Sequence, residues 1–108
     1  MKKSALACSP NWAYLSCDNN YIINILTANY GRTDTTVCAN HSSRNAHKTT
    51  TCRAADSLQI VEGKCKGRTS CRVQASLVLF GDPCSGKYKY LTIEYECKAS
   101  KNIISIKR

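Results

Sequence analysis

The chain has 108 residues, a length that fits one domain, and it contains no run of about 20 apolar residues that could span a membrane. Lysine and arginine number 16 against seven acids, which gives a formal net charge of +9. This charge favours anionic partners, although the simpler interpretation is a solvated surface that ends in a basic tail. Apolar residues make up 43% of the chain, but this share includes eight cysteines, so the aliphatic core must be modest.

The cysteines indicate what supplements that core. Their number is even, and no two of them have CxxC spacing, so neither a zinc ribbon nor a thioredoxin-type redox motif is predicted. The pattern favours four disulfides formed in an oxidising, extracellular compartment. Spacing alone leaves the pairing open among many alternatives. The acids are scattered, without the ladder of a calcium loop, and no metal or other cofactor is implied.

The N-terminal residues resemble the charged start of a secretion signal. Only four residues separate Met1–Lys3 from Cys8, however, which is too few for the apolar part of such a signal. We therefore expect residues 1–7 to be leader or added residues, residues 8–97 to form the domain, and residues 98–108 to form a basic C-terminal tail.

Two strands and a long loop are predicted next along the chain. Residues 13–17 alternate like a half-buried strand, and residues 21–26 are β-branched and aromatic enough for a second strand. Residues 37–51 are polar and carry a cysteine near the start and one just beyond the end, which predicts a long surface loop. The loop includes a glycosylation sequon at Asn40, whose occupancy stays open.

A short helix is predicted to follow. Asp56 provides an N-cap acceptor and Gln59 stands where it could return the hydrogen bond. Leu58, Val61 and Cys65 then fall on one helical stripe, and the glycine at position 63 predicts an end near that residue.

The C-terminal third predicts strands. Residues 71–75 suit a strand, and residues 77–80 are the most apolar stretch before a turn. From Tyr90 to Cys97 apolar and polar residues alternate, which predicts a strand with one face in the core and one in water.

Between these elements lies the most informative segment of the chain, residues 80–91, with the sequence FGDPCSGKYKYL. It places a carboxylate, a rigid proline turn, a thiol, a glycine and lysines within a few residues of each other, directly before a strand. Such a polar set suits a small polyhydroxylated ligand better than a reaction, because carboxylates accept from hydroxyls while ammonium and backbone N–H groups donate to them.

A second motif, YGR at residues 30–32, lies about fifty residues before DPC at residues 82–84. With the eight cysteines, these motifs resemble the rhamnose-binding lectin domain, also called the sea-urchin-egg-lectin-like or SUEL domain, over nearly the whole chain. The resemblance implies an α+β, mostly β fold: a small disulfide-rich antiparallel β-structure with one or two short helices and long ordered loops. It also implies the disulfides Cys8–Cys38, Cys17–Cys97, Cys52–Cys84 and Cys65–Cys71.

The resemblance further implies a sugar-binding set. In that family galactose or rhamnose is held by positions that correspond here to Tyr30, Asp82, Gly86 and Lys89. A tyrosine ring could cover the apolar face of a pyranose. The family's glutamate after the first cysteine is replaced here by Ser9, which predicts weaker binding or a different preferred glycan.

Other residues near the motifs have structural interpretations. Gly31 is expected to have a special backbone angle. Arg32 is expected to form a structural ion pair with Asp82 or Asp34. Trp12 is expected to pack in the core in preference to forming a second stacking surface for a sugar.

The sequence therefore predicts a secreted, non-catalytic lectin domain for galactose- or L-rhamnose-type sugars, since no nucleophile, histidine and acid set remains once the cysteines are bridged. The alternative is an extracellular adhesion or receptor module that binds a protein or an anionic, sulfated glycan, which the charge and Ser9 favour. No nucleic-acid partner is expected. Because one shallow sugar site is weak, the chain is expected to self-associate or to belong to a longer protein.

Overall fold

The computed structural model describes residues 2–34, 36–38 and 51–100. These residues form six strands and two short helices. In chain order the elements are β1 (Lys2–Cys8), β2 (Trp12–Ser16), β3 (Tyr21–Arg32), β4 (Cys52–Arg53), α1 (Ser57–Cys65), β5 (Ser70–Gln74), α2 (Leu77–Phe80) and β6 (Tyr90–Ala99). The predicted α+β, mostly β class is confirmed. Neither of the described helices has the length and apolar character needed to cross a membrane.

The main sheet has four strands in the order β1-β6-β3-β4, and every neighbouring pair is antiparallel. The alternation predicted for β6 is confirmed, because Leu91, Ile93 and Tyr95 are buried while the intervening residues are partly exposed. β3 pairs with β6 along its length and carries one bulge at Leu26, between Ile25 and Thr27. The bulge lets a long, bent strand deliver residues 30–32 to one end of the sheet.

The second layer consists of the β2-β5 ribbon and helix α1. Leu15 of β2, Val73 of β5 and Val61 of α1 are all at most 1% exposed and belong to one core with Ile23 and Ile93 of the main sheet. Strand alternation and helical spacing thus direct their apolar faces to the same interior.

Disulfides fasten the elements to one another. They join Cys8 to Cys38, Cys17 to Cys97, Cys52 to Cys84 and Cys65 to Cys71, the same pairs that the family resemblance implies. The longest link closes 80 residues between the end of β2 and β6. In the chain-entropy account such a loop stabilises the fold by about 4–5 kcal/mol.

The N-terminal end contains a strand that the sequence analysis did not predict. Lys2–Cys8, which includes most of residues 1–7 and the first cysteine, is an edge strand that pairs with β6 from Lys2↔Glu96 to Cys8↔Tyr90. Its pattern is hard to find in the sequence because Ala7 is its only buried residue. In the sheet β6 lies between β1 and β3, and β2 is joined to β6 through the Cys17–Cys97 disulfide.

Helix α1 is confirmed, but its predicted cap is wrong. Asp56 makes no side-chain cap bond, and its φ of −93° and ψ of 10° are not the extended angles of a capping residue. The start is held by Ser57, whose buried hydroxyl donates to the Ala54 carbonyl at 2.7 Å and accepts from the Tyr30 N–H at 2.9 Å. The buried stripe is therefore Ser57, Val61 and Cys65, without Leu58, and the helix continues past Gly63 to Cys65.

The remaining predictions concern three strands, residues 77–80, the long loop and the C-terminal tail. The strands predicted at residues 13–17, 21–26 and 71–75 are confirmed as β2, the first half of β3 and β5. Residues 77–80, which received no assignment, form α2. Most of the predicted loop 37–51, with Asn40, and most of the predicted tail 98–108 lie outside the described residues.

Candidate functional site

The segment with DPC begins at the end of α2, where the chain turns sharply. Ser76 accepts a hydrogen bond from the Leu79 N–H, and Gly81 closes the helix with a φ of 79° and an N–H bond to Leu77 O at 2.7 Å. A positive φ at this point suits glycine. Three residues later the Cys52–Cys84 disulfide ties the segment to β4. Asp82 is thereby held at the surface, with 39% of its side chain exposed.

Lys89 organises this segment from within. Its residue is only 6% exposed, and its ammonium lies 2.9 Å from Asp82 Oδ1, 2.9 Å from Cys84 O and 2.5 Å from Lys87 O. Three acceptors use the three N–H donors of an ammonium group. Lys89 therefore holds the loop around its own charge and orients the carboxylate of Asp82.

Gly86 lies on the loop that surrounds this ammonium. The turn closes through the Lys87 N–H bond to Cys84 O at 3.3 Å, and Gly86 has a φ of 80°. The residue is exposed, and a Cβ added there would meet no atom within 4 Å. A ligand can therefore approach the backbone of Gly86 closely.

Ser9 comes to the same place from the other end of the chain. Its N–H donates to Lys89 O at 3.1 Å, its carbonyl accepts from the Tyr88 hydroxyl, and its Oγ donates to Ala75 O at 2.9 Å. The Oγ is also 3.5 Å from the Tyr30 hydroxyl. Ser9 is partly buried, and its hydroxyl is engaged with the protein.

Tyr30 does not present its ring to solvent. The residue is 0% exposed, and its ring stacks on Phe80 with centroids 4.9 Å apart and planes 13° from parallel. The ring-stacking role suggested by the sequence is therefore wrong for this arrangement, because Phe80 and the core cover the ring. Burial raises the pKa of Tyr30 above its usual value; the hydrogen bond to Ser9 opposes this rise, and the negative charge of Asp82 adds to it.

The other two residues of YGR have structural roles. A Cβ on Gly31 would lie 2.1 Å from Cys52 O, so the β3–β4 pairing requires glycine there. The special backbone angle expected for Gly31 is wrong, since the described glycines with positive φ are at other positions. Arg32 is fully buried and donates to Tyr88 O at 2.8 Å and to the backbone carbonyl of Asp34 at 2.6 Å. Among the described residues it makes no ion pair with a carboxylate; its guanidinium lies over the ring of Tyr90 at 5.0 Å.

The geometry thus brings Ser9, Tyr30, Asp82 and Lys89 into one connected group, with Gly86 on the loop that surrounds the ammonium. Sequence reasoning missed Tyr88, whose hydroxyl and carbonyl join Ser9 to Arg32, and Phe80, which covers Tyr30. Nothing in the local pattern marks them, because their partners are far along the chain. In the described part of the chain no three metal-binding side chains converge.

Trp12 also departs from its predicted role. It is 41% exposed instead of packed in the core, and the guanidinium of Arg72 lies 4.6 Å from the centre of its ring system.

Comparison with known proteins shows which family the chain is similar to. The family model of the D-galactoside/L-rhamnose binding SUEL lectin domain matches residues 15–97. A rhamnose-binding lectin of Silurus asotus is 42% identical over 93 residues, which cover 86% of this chain and 30% of that protein. The L-rhamnose-binding lectin ELEL-1 of Echinometra lucunter is 40% identical over 96 residues, with 88% of this chain and 90% of that protein covered.

A third relative has a different context. Latrophilin Cirl of Drosophila ananassae is 37% identical over 95 residues, which are 88% of this chain but 5% of that protein. The chain therefore spans less than a third of the first relatives, although it spans nearly all of the Echinometra lectin. The match over most of the chain shows that it belongs to the family of D-galactoside/L-rhamnose binding SUEL lectin domains, which are carbohydrate-binding domains and not enzymes.

Proposed function

We propose that this lectin domain is extracellular and binds galactose- or L-rhamnose-type sugars at the surface formed by Asp82, Gly86 and Ser9. The observation that carries the proposal is the ion pair of Asp82 with a buried Lys89, which holds an exposed carboxylate in one orientation. A fixed carboxylate loses little side-chain freedom when it accepts hydrogen bonds from a ligand.

The contacts follow from what is exposed. Asp82 Oδ2 accepts from one hydroxyl of a vicinal diol, and the Gly86 N–H donates to a neighbouring hydroxyl. Lys89 acts mainly as a positioning residue, because its three donors already have acceptors in the protein. Tyr30 supports the floor of the site under Ser9 and is covered by Phe80.

Titration calorimetry of the whole chain with L-rhamnose and methyl galactoside, up to millimolar sugar, tests the proposal. We expect weak binding by the native chain and none by Asp82→Ala. Asp56→Ala is the matched control, because Asp56 is exposed and its side chain makes no cap bond. Absence of binding by the native chain, or equal binding by Asp82→Ala, would contradict the proposed site.

Ser9 determines how tightly we expect the domain to bind rhamnose or galactose. It replaces a carboxylate with a shorter, uncharged group whose Oγ already donates to Ala75 O. A hydrogen bond to a charged group contributes about 1.5–3 kcal/mol, which corresponds to roughly ten- to a hundredfold in affinity. We therefore expect Ser9→Glu to bind rhamnose or galactose about tenfold more tightly or better. Unchanged affinity in a folded Ser9→Glu chain would show that position 9 does not face the sugar.

A second candidate is a receptor module that binds a protein, which the latrophilin Cirl relatives favour. Adhesion of the domain to cells that persists in excess rhamnose and galactose, and in Asp82→Ala, would support this candidate. An anionic, sulfated glycan is a further class of ligand, favoured by the net charge of +9. With a single weak sugar site, avidity then requires self-association or neighbouring domains in a longer chain.

A further inference from the structure

A basic groove lies on the face of the molecule formed by the β2-β5 ribbon and the C-terminal half of α1. It consists of two adjoining concavities of about 520 and 510 Å³ that share Lys64 and Arg72 as lining residues. Arg68 and Tyr14 line the first, and Trp12 lines the second. These five residues define the basic groove.

The groove is positively charged. It contains three cations, and none of the described residues that line it is an aspartate or a glutamate. Local positive charge in a concave surface concentrates anions more effectively than the same charge spread over a convex one. Arginine is also suited to sulfate and phosphate oxygens, because its planar fork donates two parallel hydrogen bonds.

The groove also carries exposed aromatic surface. Tyr14 is 68% exposed and Trp12 is 41% exposed, and the Arg72 guanidinium lies 4.6 Å from the centre of the Trp12 ring. This stacking restricts the guanidinium to the groove while its edges stay available to a ligand. Aromatic rings cover the C–H faces of pyranose rings, so one surface can contact both the sugar and its acidic substituents.

We propose that the basic groove is a second ligand site, separate from Asp82, that binds sulfated oligosaccharides of the glycosaminoglycan type. Four disulfides place the domain in an oxidising compartment, where sulfated glycans and not nucleic acids are the common polyanions. The groove extends to Ser76, next to Ala75, whose carbonyl accepts the hydrogen bond from Ser9. One end of the groove therefore lies close to the proposed neutral-sugar site.

The test compares two variants of equal charge by calorimetry with a heparin dodecasaccharide. Lys64→Gln with Arg72→Gln removes the two cations shared by both concavities. Lys2→Gln with Lys98→Gln removes two cations from exposed ion pairs on the main sheet. We expect the groove variant to lose about tenfold in affinity, from two exposed charge contacts, and the control variant to lose much less.

Further measurements distinguish a sulfated glycan from other ligands of the basic groove. Fully desulfated heparin and single-stranded DNA of matched charge should bind at least tenfold more weakly than heparin, and Asp82→Ala should bind heparin as the native chain does. The proposal is overturned if the native chain does not bind heparin, if both variants lose affinity equally, if DNA binds as well, or if Asp82→Ala removes heparin binding. Thermal unfolding of each variant shows whether the fold is intact. If the groove variant proves unfolded, Arg68→Gln alone replaces it, with Lys98→Gln as its control and the same order of affinities expected.

Discussion

Removing the ammonium of Lys89 from the candidate site should lower the free energy of unfolding by an amount that follows from its three contacts. Lys89→Met keeps the length of the side chain but removes the charged donor to Cys84 O and Lys87 O, and it removes the ion pair of Asp82. A hydrogen bond from a charged donor contributes about 1.5–3 kcal/mol. Breaking a buried ion pair costs about 3–5 kcal/mol when the remaining charge is buried. Here Asp82 is 39% exposed and recovers much of its hydration.

The expected loss in free energy of unfolding is therefore about 2–4 kcal/mol, because relief of the lysine's own desolvation offsets part of the broken contacts. A domain stable by about 5–15 kcal/mol stays folded after this change. Urea unfolding with intact disulfides measures the loss of stability, and calorimetry with rhamnose measures the loss of binding that we expect at the proposed site.

Lys98→Met is the matched control for this measurement. Its ammonium lies 3.4 Å from Glu96 Oε2, but the lysine side chain is 61% exposed, so the pair is solvated. Surface ion pairs contribute about 0–1 kcal/mol, and we expect a loss within that range. If Lys89→Met cost no more than Lys98→Met, the reasoning that Lys89 holds the loop would be refuted.

Two further predictions follow from Gly31 and Tyr30. Gly31→Ala should destabilise by about 3 kcal/mol or more, because its Cβ would meet the backbone of Cys52 at 2.1 Å. Gly63→Ala in α1 is the control, because a Cβ there meets nothing within 4 Å; this change should stabilise the fold by about 0.5–1 kcal/mol. If urea unfolding gave both variants the same stability, the close approach of Gly31 to the backbone of Cys52 would be contradicted. Since burial raises the pKa of Tyr30 above 10.0, its contribution to stability is complete below that pH and is lost as pH rises through the folded-state pKa. Tyr30→Phe should flatten the fall in unfolding free energy above about pH 10, and an unchanged slope would show that Tyr30 does not cause it.

Local pattern in the sequence was enough to predict the elements that depend on neighbouring residues. The alternation of β6 and the helical spacing of Val61 and Cys65 follow from the periods of strand and helix, which one stretch of chain contains in full. The two motifs and the cysteines were likewise enough to identify the family, and the match of the family model to residues 15–97 confirms it. Edge strand β1 was missed, because a strand with one buried residue has almost no pattern.

What the residues of the site do was decided by contacts between distant parts of the chain. The sequence suggested that Tyr30 faces the sugar, that Lys89 donates to it and that Trp12 is in the core. The tertiary structure instead buries Tyr30 under Phe80, surrounds the ammonium of Lys89 with protein acceptors and leaves Trp12 exposed beside Arg72. A sequence specifies which groups can donate, accept or stack. Which partner each group meets depends on strands and disulfides that join residues up to 94 positions apart, and only the folded chain brings those partners together.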